Sequence, residues 1–404
     1  MFKSVLSLTL AAALGTASFG QTTLTAIPGE AAAAKYASIS QEILRAIEKG
    51  NEYLKSKQNP EGYWAQPSYP ALTALAVTAY MRDPANQGKP VPEYIRKGYD
   101  FILKSQKEDG SIFNRGMSSY NTAVCMMALL AANKAATWGC YLAYPKEEYA
   151  PAILKGRAYL IKQQNHFAPD NPYNGGIGYG DKQAPPIADL SNTSLALEAI
   201  YYSQKLAKDG KYGEQPDLDW NAATEFINRC QQNPAVNKEP WVSNDKSQLG
   251  GFVYRPGVSS ARDKKSAAFD KAEPPKAYGS MTYAGMQSLI YANVDKNDPR
   301  VKLALKWLEN SYSLDENPGM GVQGLYYYYQ AMSKALSAMG IDTLTLENGR
   351  KVDWRDELAN KLISIQKSDG SWVNTNNRWW EADPVLVTSY CVLALEQLYH
   401  SIPR

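Results

Sequence analysis

Two kinds of apolar pattern alternate along the chain. In the first, apolar residues recur at helical spacing on a single stripe: Ile43, Ile47, Tyr53 and Leu54; Ile95, Phe101 and Ile102; Ile153, Tyr159 and Leu160; Trp220, Phe226 and Ile227; Val301, Trp307 and Leu308; Trp354 and Leu362. The positions between them are mostly Lys, Glu, Asn and Arg, so each such segment predicts a helix with one wet face. In the second kind, Ala71 to Met81, Thr122 to Ala132, Thr193 to Tyr202, Thr282 to Ala292, Tyr328 to Met339 and Thr388 to Leu398 carry few charges and are apolar nearly all round. Those segments predict helices buried on most faces. Six outer and six inner helices in alternation give an all-α fold. They can close into a double ring, the α/α6 toroid, which leaves no unburied end face as an open solenoid would.

The connections between the two kinds of helix repeat as well. The clearest copies are Lys49-Gly50 with Gln58, Gly62 and Trp64; Lys97-Gly98 with Gln106, Asp109 and Gly110; and Gln366 with Asp369, Gly370 and Trp372. Their spacing of roughly 45 to 90 residues is that of an array stretched by insertions. Asn59-Pro60, Asp109-Gly110 and Asp369-Gly370 are turn dipeptides. A Gln amide there can bond exposed helix-end groups while the aromatic seals the seam, so these residues read as joints and not as catalysts. Aligning the inner helices places Thr73, Thr122, Thr193, Thr282 and Thr388 in one register, with Tyr328 in the remaining copy. Thr in a first helical turn satisfies orphan backbone groups.

The first residues have a different character. Lys3, the apolar run Val5 to Leu14 and the small residues near Gly20 have the layout of a secretory signal peptide, so residues 1–20 are expected to be removed and the mature chain to begin near Gln21. Residues 21–40 then read as a linker and 41–404 as the toroid. No later stretch reaches the roughly 20 apolar residues of a membrane span. With 44% hydrophobic and 21% charged residues, the chain has the composition of a globular protein able to bury a large core. Net charge is +3 and no Lys/Arg run is interleaved with aromatics, which argues against nucleic acid as a partner. Cys125 and Cys391 fall in apolar helical runs and read as buried thiols. Cys140 and Cys230 are left as separate thiols or as a disulfide formed after export.

The junctions resemble the QW repeats of the squalene-hopene cyclase and prenyltransferase superfamily, most closely at Lys49-Gly50 through Gln58 to Gly62 and Trp64, and at Gln366-Lys367-Ser368-Asp369-Gly370-Ser371-Trp372. The resemblance spans roughly residues 40 to 400 and implies an α/α6 toroid with a central apolar cavity. In the class II cyclases of that superfamily an Asp-x-Asp-Asp segment followed by Thr opens an inner helix and protonates an alkene. The matching segment here is Asp189-Leu190-Ser191-Asn192-Thr193, with Ser191 in the place of the proton donor and Asn192 in the third acidic position. Neither a hydroxyl nor an amide supplies the strong acid that alkene protonation needs. The zinc of the protein prenyltransferases is held by Asp, Cys and His. Here the histidines are His166 and His400, both read as surface residues, and no Asp-x-Cys occurs, so no metal and no cofactor is expected. Gly213-Glu214-Gln215 resembles part of the motif of the thioester proteins, with Tyr212 where their reactive Cys would stand.

Upstream of the aligned Thr positions the inner helices carry Tyr69, Tyr120, Asn121, Asp189, Ser191, Asn192, Tyr278, Ser280, Tyr326, Tyr327 and Asp383, with Tyr328 and Tyr329 continuing the tyrosine run and Trp379, Trp380 and Glu381 preceding Asp383. If the inner helices run parallel, these residues gather at one mouth, where helix N-termini favour an anionic group. Asp189, Glu381 and Asp383 are the carboxylates placed for acid and base roles, or for capping the helices they precede. The expected ligand wall is Tyr120, Asn121, Ser191, Asn192, Tyr278, Tyr326, Tyr327, Tyr328, Trp379 and Trp380. Residues 233–276 lose helical period and are rich in Pro, Ser, Gly and Lys, which fits a lid, and Gly175 to Gly180 is a second candidate loop.

Three functions fit these readings. The first is an exported toroid whose cavity takes an isoprenoid or other lipid-like, apolar or amphiphilic ligand. The second is a carbohydrate-active enzyme, a polysaccharide lyase or glycosidase acting on a glycan. The third is a non-catalytic interaction scaffold. An apolar cavity favours the first, an open groove with paired acids the second, and a filled centre the third.

Overall fold

The computed structural model describes residues 28–132, 147–180, 187–261 and 274–402. The leader at 1–20, Cys140 and residues 262–273 of the expected lid lie outside the described residues. Among those described, twelve α-helices follow one another: α1 (Pro28–Ser56), α2 (Pro70–Arg82), α3 (Glu93–Lys104), α4 (Ser118–Ala131), α5 (Ala150–Lys162), α6 (Leu190–Lys208), α7 (Trp220–Cys230), α8 (Gly279–Tyr291), α9 (Pro299–Asn310), α10 (Leu325–Met339), α11 (Trp354–Ser364) and α12 (Pro384–Ser401). The described strands are one antiparallel pair of two-residue segments, Leu344–Thr345 with Lys351–Val352.

The two helix types divide as their patterns require. On α3 only Ile95, Gly98, Tyr99 and Ile102 are buried, whereas α8 buries every residue from Gly279 to Tyr291 except Ile290. The even-numbered helices pack on one another in order, α2 on α4, α4 on α6, α6 on α8, α8 on α10 and α10 on α12, and α12 packs back on α2. The odd-numbered helices lie against this set, α1 and α11 on α12, α3 on α2, α5 on α4 and α6, and α7 and α9 on α8. Helix α1 starts inside the stretch expected to be a linker. Tyr36 and Ile39 are buried there, and the Tyr36 hydroxyl donates to Asp353, so ordered packing begins ahead of the boundary near residue 41.

Each joint is a small hydrogen-bonded staple. The Gln58 amide donates to Gly62 O (3.0 Å) and to Tyr94 O at the start of the next outer helix (2.7 Å). Gln106, Gln164, Gln231 and Gln366 do the same to Gly110 and Ala152, to Gly175 and Asp219, to Gly250 and Arg300, and to Gly370 and Ala46. Each amide satisfies a turn Gly carbonyl at a crowded seam and ties it to a carbonyl of the next outer helix, as at Asp219 O, which also accepts Ala223 N. The aligned threonines complete the staple: the Oγ1 atoms of Thr73, Thr122, Thr193, Thr282 and Thr388 accept the backbone N–H of Trp64, Ile112, Ile177, Phe252 and Trp372. Backbone approach is closest at Gly175 (φ +82°), where a Cβ would lie 1.9 Å from Ala222 O, so no side chain fits.

The connection between α9 and α10 departs from the pattern. No Gln amide staples it; Asn317 holds the turn instead, accepting Ser280 N (2.9 Å) and donating to Gln323 O (3.1 Å). Tyr328, in the Thr register, sends its hydroxyl to Ser313 O (2.9 Å). Residues 233–249 are looped out of the fourth joint, whose Gln231 and Gly250 still meet.

Candidate functional site

A cavity of about 530 Å³ opens where the N-terminal turns of all the even-numbered helices converge. Leu72 of α2, Tyr120 of α4, Ser191, Asn192 and Leu195 of α6, Ser280 and Met281 of α8, Tyr327 of α10, and Leu386 and Tyr390 of α12 line it, together with Met117, Tyr179, Tyr254, Tyr278, Trp379, Trp380 and Glu381 from the connections. The wall is therefore aromatic and apolar, studded with hydroxyls.

Of the residues expected at the mouth, Tyr120, Ser191, Asn192, Tyr278, Tyr327, Trp379, Trp380 and Glu381 line the cavity. Asn121, Asp189, Tyr326, Tyr328 and Asp383 do not. The tyrosines separate because consecutive helical residues point about 100° apart. Tyr327 faces the cavity, Tyr326 bonds Val373 O (3.2 Å), and Tyr328 is buried against Tyr283. Asn121 and Asp383 are occupied as caps. Asn121 Oδ1 accepts Ala71 N of α2 (3.0 Å), and Asp383 Oδ1 accepts Val385 N of its own helix (2.8 Å).

The two buried carboxylates are capping residues too. Glu381 reaches α10, where Oε1 accepts Tyr327 N (2.8 Å) and Oε2 accepts the Asn374 amide (2.6 Å); α10's own N-cap is Gly324, which has no side chain to offer. Burial raises the Glu381 carboxyl above the usual range, and these bonds oppose the rise. Asp189 caps α6 through Oδ1 to Asn192 N (2.9 Å), and its Oδ2 accepts the Asn192 side-chain amide (2.7 Å). Burial pushes the Asp189 carboxyl up to about 6, against the pull of Asn192, the Arg255 charge and a hydrogen bond from Tyr254.

Asp189 stands one layer behind the wall, and Tyr254 connects it to the cavity. The Tyr254 hydroxyl bonds Asp189 and lies 3.3 Å from the hydroxyl of Tyr179, which is 38% exposed at the mouth. A phenol has one proton, so Tyr254 serves the carboxylate when Asp189 is ionised and Tyr179 when it is protonated. The three groups form a hydrogen-bonded path from a buried carboxyl to the cavity mouth.

Trp379 and Trp380 form the rim, at 44% and 40% exposure. Both have left-handed backbone, φ +55° and +64°, which costs an L-residue on the order of 1–2 kcal/mol. Trp380 packs on Tyr69 (centroids 4.5 Å apart), and Arg378 lies over Trp379 (4.5 Å). His166 is exposed, and His400 is half-buried with its ring against Tyr399. Cys125, Cys230 and Cys391 are buried, and no cluster of metal-ligating side chains occurs among the described residues. Sequence reasoning did not single out Tyr179, Tyr254 and Tyr390. The first two lie in the two loops marked as candidates, and Tyr390 sits two residues after the register residue Thr388.

No family model matches this chain. Among solved structures it is similar to the type II terpene cyclase MstE from Scytonema. One variant of that enzyme in complex with its substrate, geranylgeranyl dihydroxybenzoate, aligns with a TM-score of 0.51, and one in complex with its product, merosterolic acid A, with 0.50. In both cases identity is 10%, and the alignment covers 90% of this chain and 99% of the other. The likeness is one of fold: this chain has a terpene cyclase-like, all-helical architecture.

Proposed function

We propose that this chain is an exported α/α6 toroid of the terpenoid cyclase and prenyltransferase type, its leader at residues 1–20, and that its cavity takes an isoprenoid or other lipid-like ligand. The observation that carries this reading is the cavity itself, built by the N-terminal turns of six inner helices, with Ser191 and Asn192 of the motif in its wall. A filled centre would have favoured a scaffold, and about 530 Å³ of space does not fit that reading. Ser191 stands where the proton donor of the cyclases would be, and Asp189 lies behind the cavity wall, so no acid of the motif faces the ligand and cyclisation of squalene is not expected. Acid and base work, where it occurs, runs through Asp189 and Tyr254.

A glycan ligand is the second reading, favoured by the exposed Trp379 and Trp380 at the rim. Against it, Asp189 and Glu381 are each engaged in capping a helix and do not face each other as a bare acid pair. Native mass spectrometry of the purified protein distinguishes the readings. A co-purifying lipid supports the first, a co-purifying oligosaccharide the second, and turnover of squalene by the wild-type protein would overturn the loss of cyclase chemistry.

A further inference from the structure

The 530 Å³ cavity does not end the lumen. Below it lies a second space of about 70 Å³, and the two share four lining residues: Tyr120, Leu195, Tyr327 and Tyr390. These side chains come from α4, α6, α10 and α12, and nothing else lines both spaces. They are also tied together. The hydroxyls of Tyr120 and Tyr390 are hydrogen-bonded, that of Tyr327 bonds Ser191, and the rings of Tyr327 and Tyr390 lie 6.0 Å apart.

The lower space has a different chemistry from the upper one. Glu198 of α6 and Lys334 of α10 line it and pair at 2.5 Å, at 5% and 21% side-chain exposure. Helix α8 stands between α6 and α10 in the order of packing, so this pair reaches across the lumen. Gln287, Gln330 and Arg82 add further polar groups. An apolar chain end pushed among them would desolvate charges without pairing them, which is costly.

We propose that Tyr120, Tyr327 and Tyr390, with Leu195, form a floor that sets the length of ligand the upper cavity admits, and that the charged chamber beneath accepts only a chain ending in a polar group. This rests on the proposed lipid-like ligand and names how the site selects among such molecules. The ligands admitted in full are single-headed amphiphiles no longer than the upper cavity. Longer chains are admitted past an opened floor only when both ends are polar.

The test is calorimetric titration of the full chain with two homologous series, 1-alkanols and α,ω-alkanediols of increasing length. In the wild type, affinity should rise about fourfold per buried methylene and then stop at one length in both series, where the chain meets the floor. In Tyr390→Ala the rise should continue past that length for the diols and still stop for the alkanols. Leu195→Ala removes less of the same floor and should shift the diols in the same direction, and circular dichroism establishes that each variant is folded. A stopping length unchanged in both folded variants, or alkanols and diols extended equally, would overturn the inference while leaving a lipid-like ligand standing. If neither series binds the wild type, the proposed function falls and this inference falls with it.

Discussion

Replacing Asp189 by asparagine should make the protein more stable above neutral pH, and the size of the gain follows from the burial of one carboxyl. Asp189 is 2% exposed, and its pKa rises from an ordinary 3.8 to about 6. Because the folded value lies above the unfolded one, the native state binds the proton more tightly. Asp189's contribution to stability is therefore fully present below about pH 4, declines between about pH 4 and 6, and is flat above. At about 1.4 kcal/mol per unit, a shift of about two units amounts to about 3 kcal/mol. Asparagine carries no charge and keeps the cap, its Oδ1 accepting Asn192 N as Asp189 does now at 2.9 Å. Asn192 has an unpaired buried Oδ1, so a flip of its amide presents that oxygen to the new amide nitrogen and the side-chain contact survives. Urea unfolding of both proteins at steps between about pH 4 and 8 measures this directly, since every other titrating group cancels in the difference. The advantage of Asp189→Asn should grow by up to about 3 kcal/mol across the interval and level off beyond it. A difference that does not change with pH would refute the assignment of that proton to Asp189. The same variant should bind ligand more weakly, because Tyr254 loses its proton exchange partner, a case of stability gained where function is lost.

Other outcomes follow from single contacts. Gly175→Ala should cost at least about 2 kcal/mol in thermal or urea unfolding, from its positive φ and a Cβ placed 1.9 Å from a carbonyl, whereas Gly210→Ala, at φ +77° with open space around it, should cost about 1 kcal/mol. Gln366→Leu strips the donor from Gly370 O, while Ala46 O keeps its partner within α1, and should lower stability by about 1–3 kcal/mol. Trp380→Gly relieves a strained φ and loses a ring contact of similar size, so stability should stay within about 1 kcal/mol while ligand affinity measured by calorimetry falls.

The helices were legible because their apolar periodicity is set by burial alone, and the five aligned Thr with Gln58, Gln106 and Gln366 marked the joints, while the staples at Gln164 and Gln231 emerged with the structure. The threonines carried more information than was drawn from them. Positions two after and five after each Thr face the lumen, and so does the position two before on every such helix but α2: Tyr120, Val124 and Met127 on α4, and Ser191, Leu195 and Glu198 on α6. Applied to α12, the same rule finds Tyr390. What could not be read was the difference between a mouth residue and a cap. Asn121, Asp189, Glu381 and Asp383 are the residue types that chemistry wants in a site and also those that helix N-termini want. Only the hydrogen-bond geometry separates the two uses. Tyr254 and Tyr179 each stand four residues after a joint Gly, Gly250 and Gly175, but the other joints put Gln66, Asn114 and Asn374 at that position, so no aromatic pattern marked them.

The staple from Gln366 to Ala46 and the packing of α12 on α1 and α2 join elements that are more than three hundred residues apart in the chain. Contacts of such range are slow to form, since the intervening polymer must lose its freedom before they repay it. Until α12 is in place, α1, α2 and α10 each lack a helix they pack on, and those apolar flanks stay open to water. Closure of the even-numbered helices therefore waits for α12, and the unclosed chain is the form most exposed to aggregation and proteolysis.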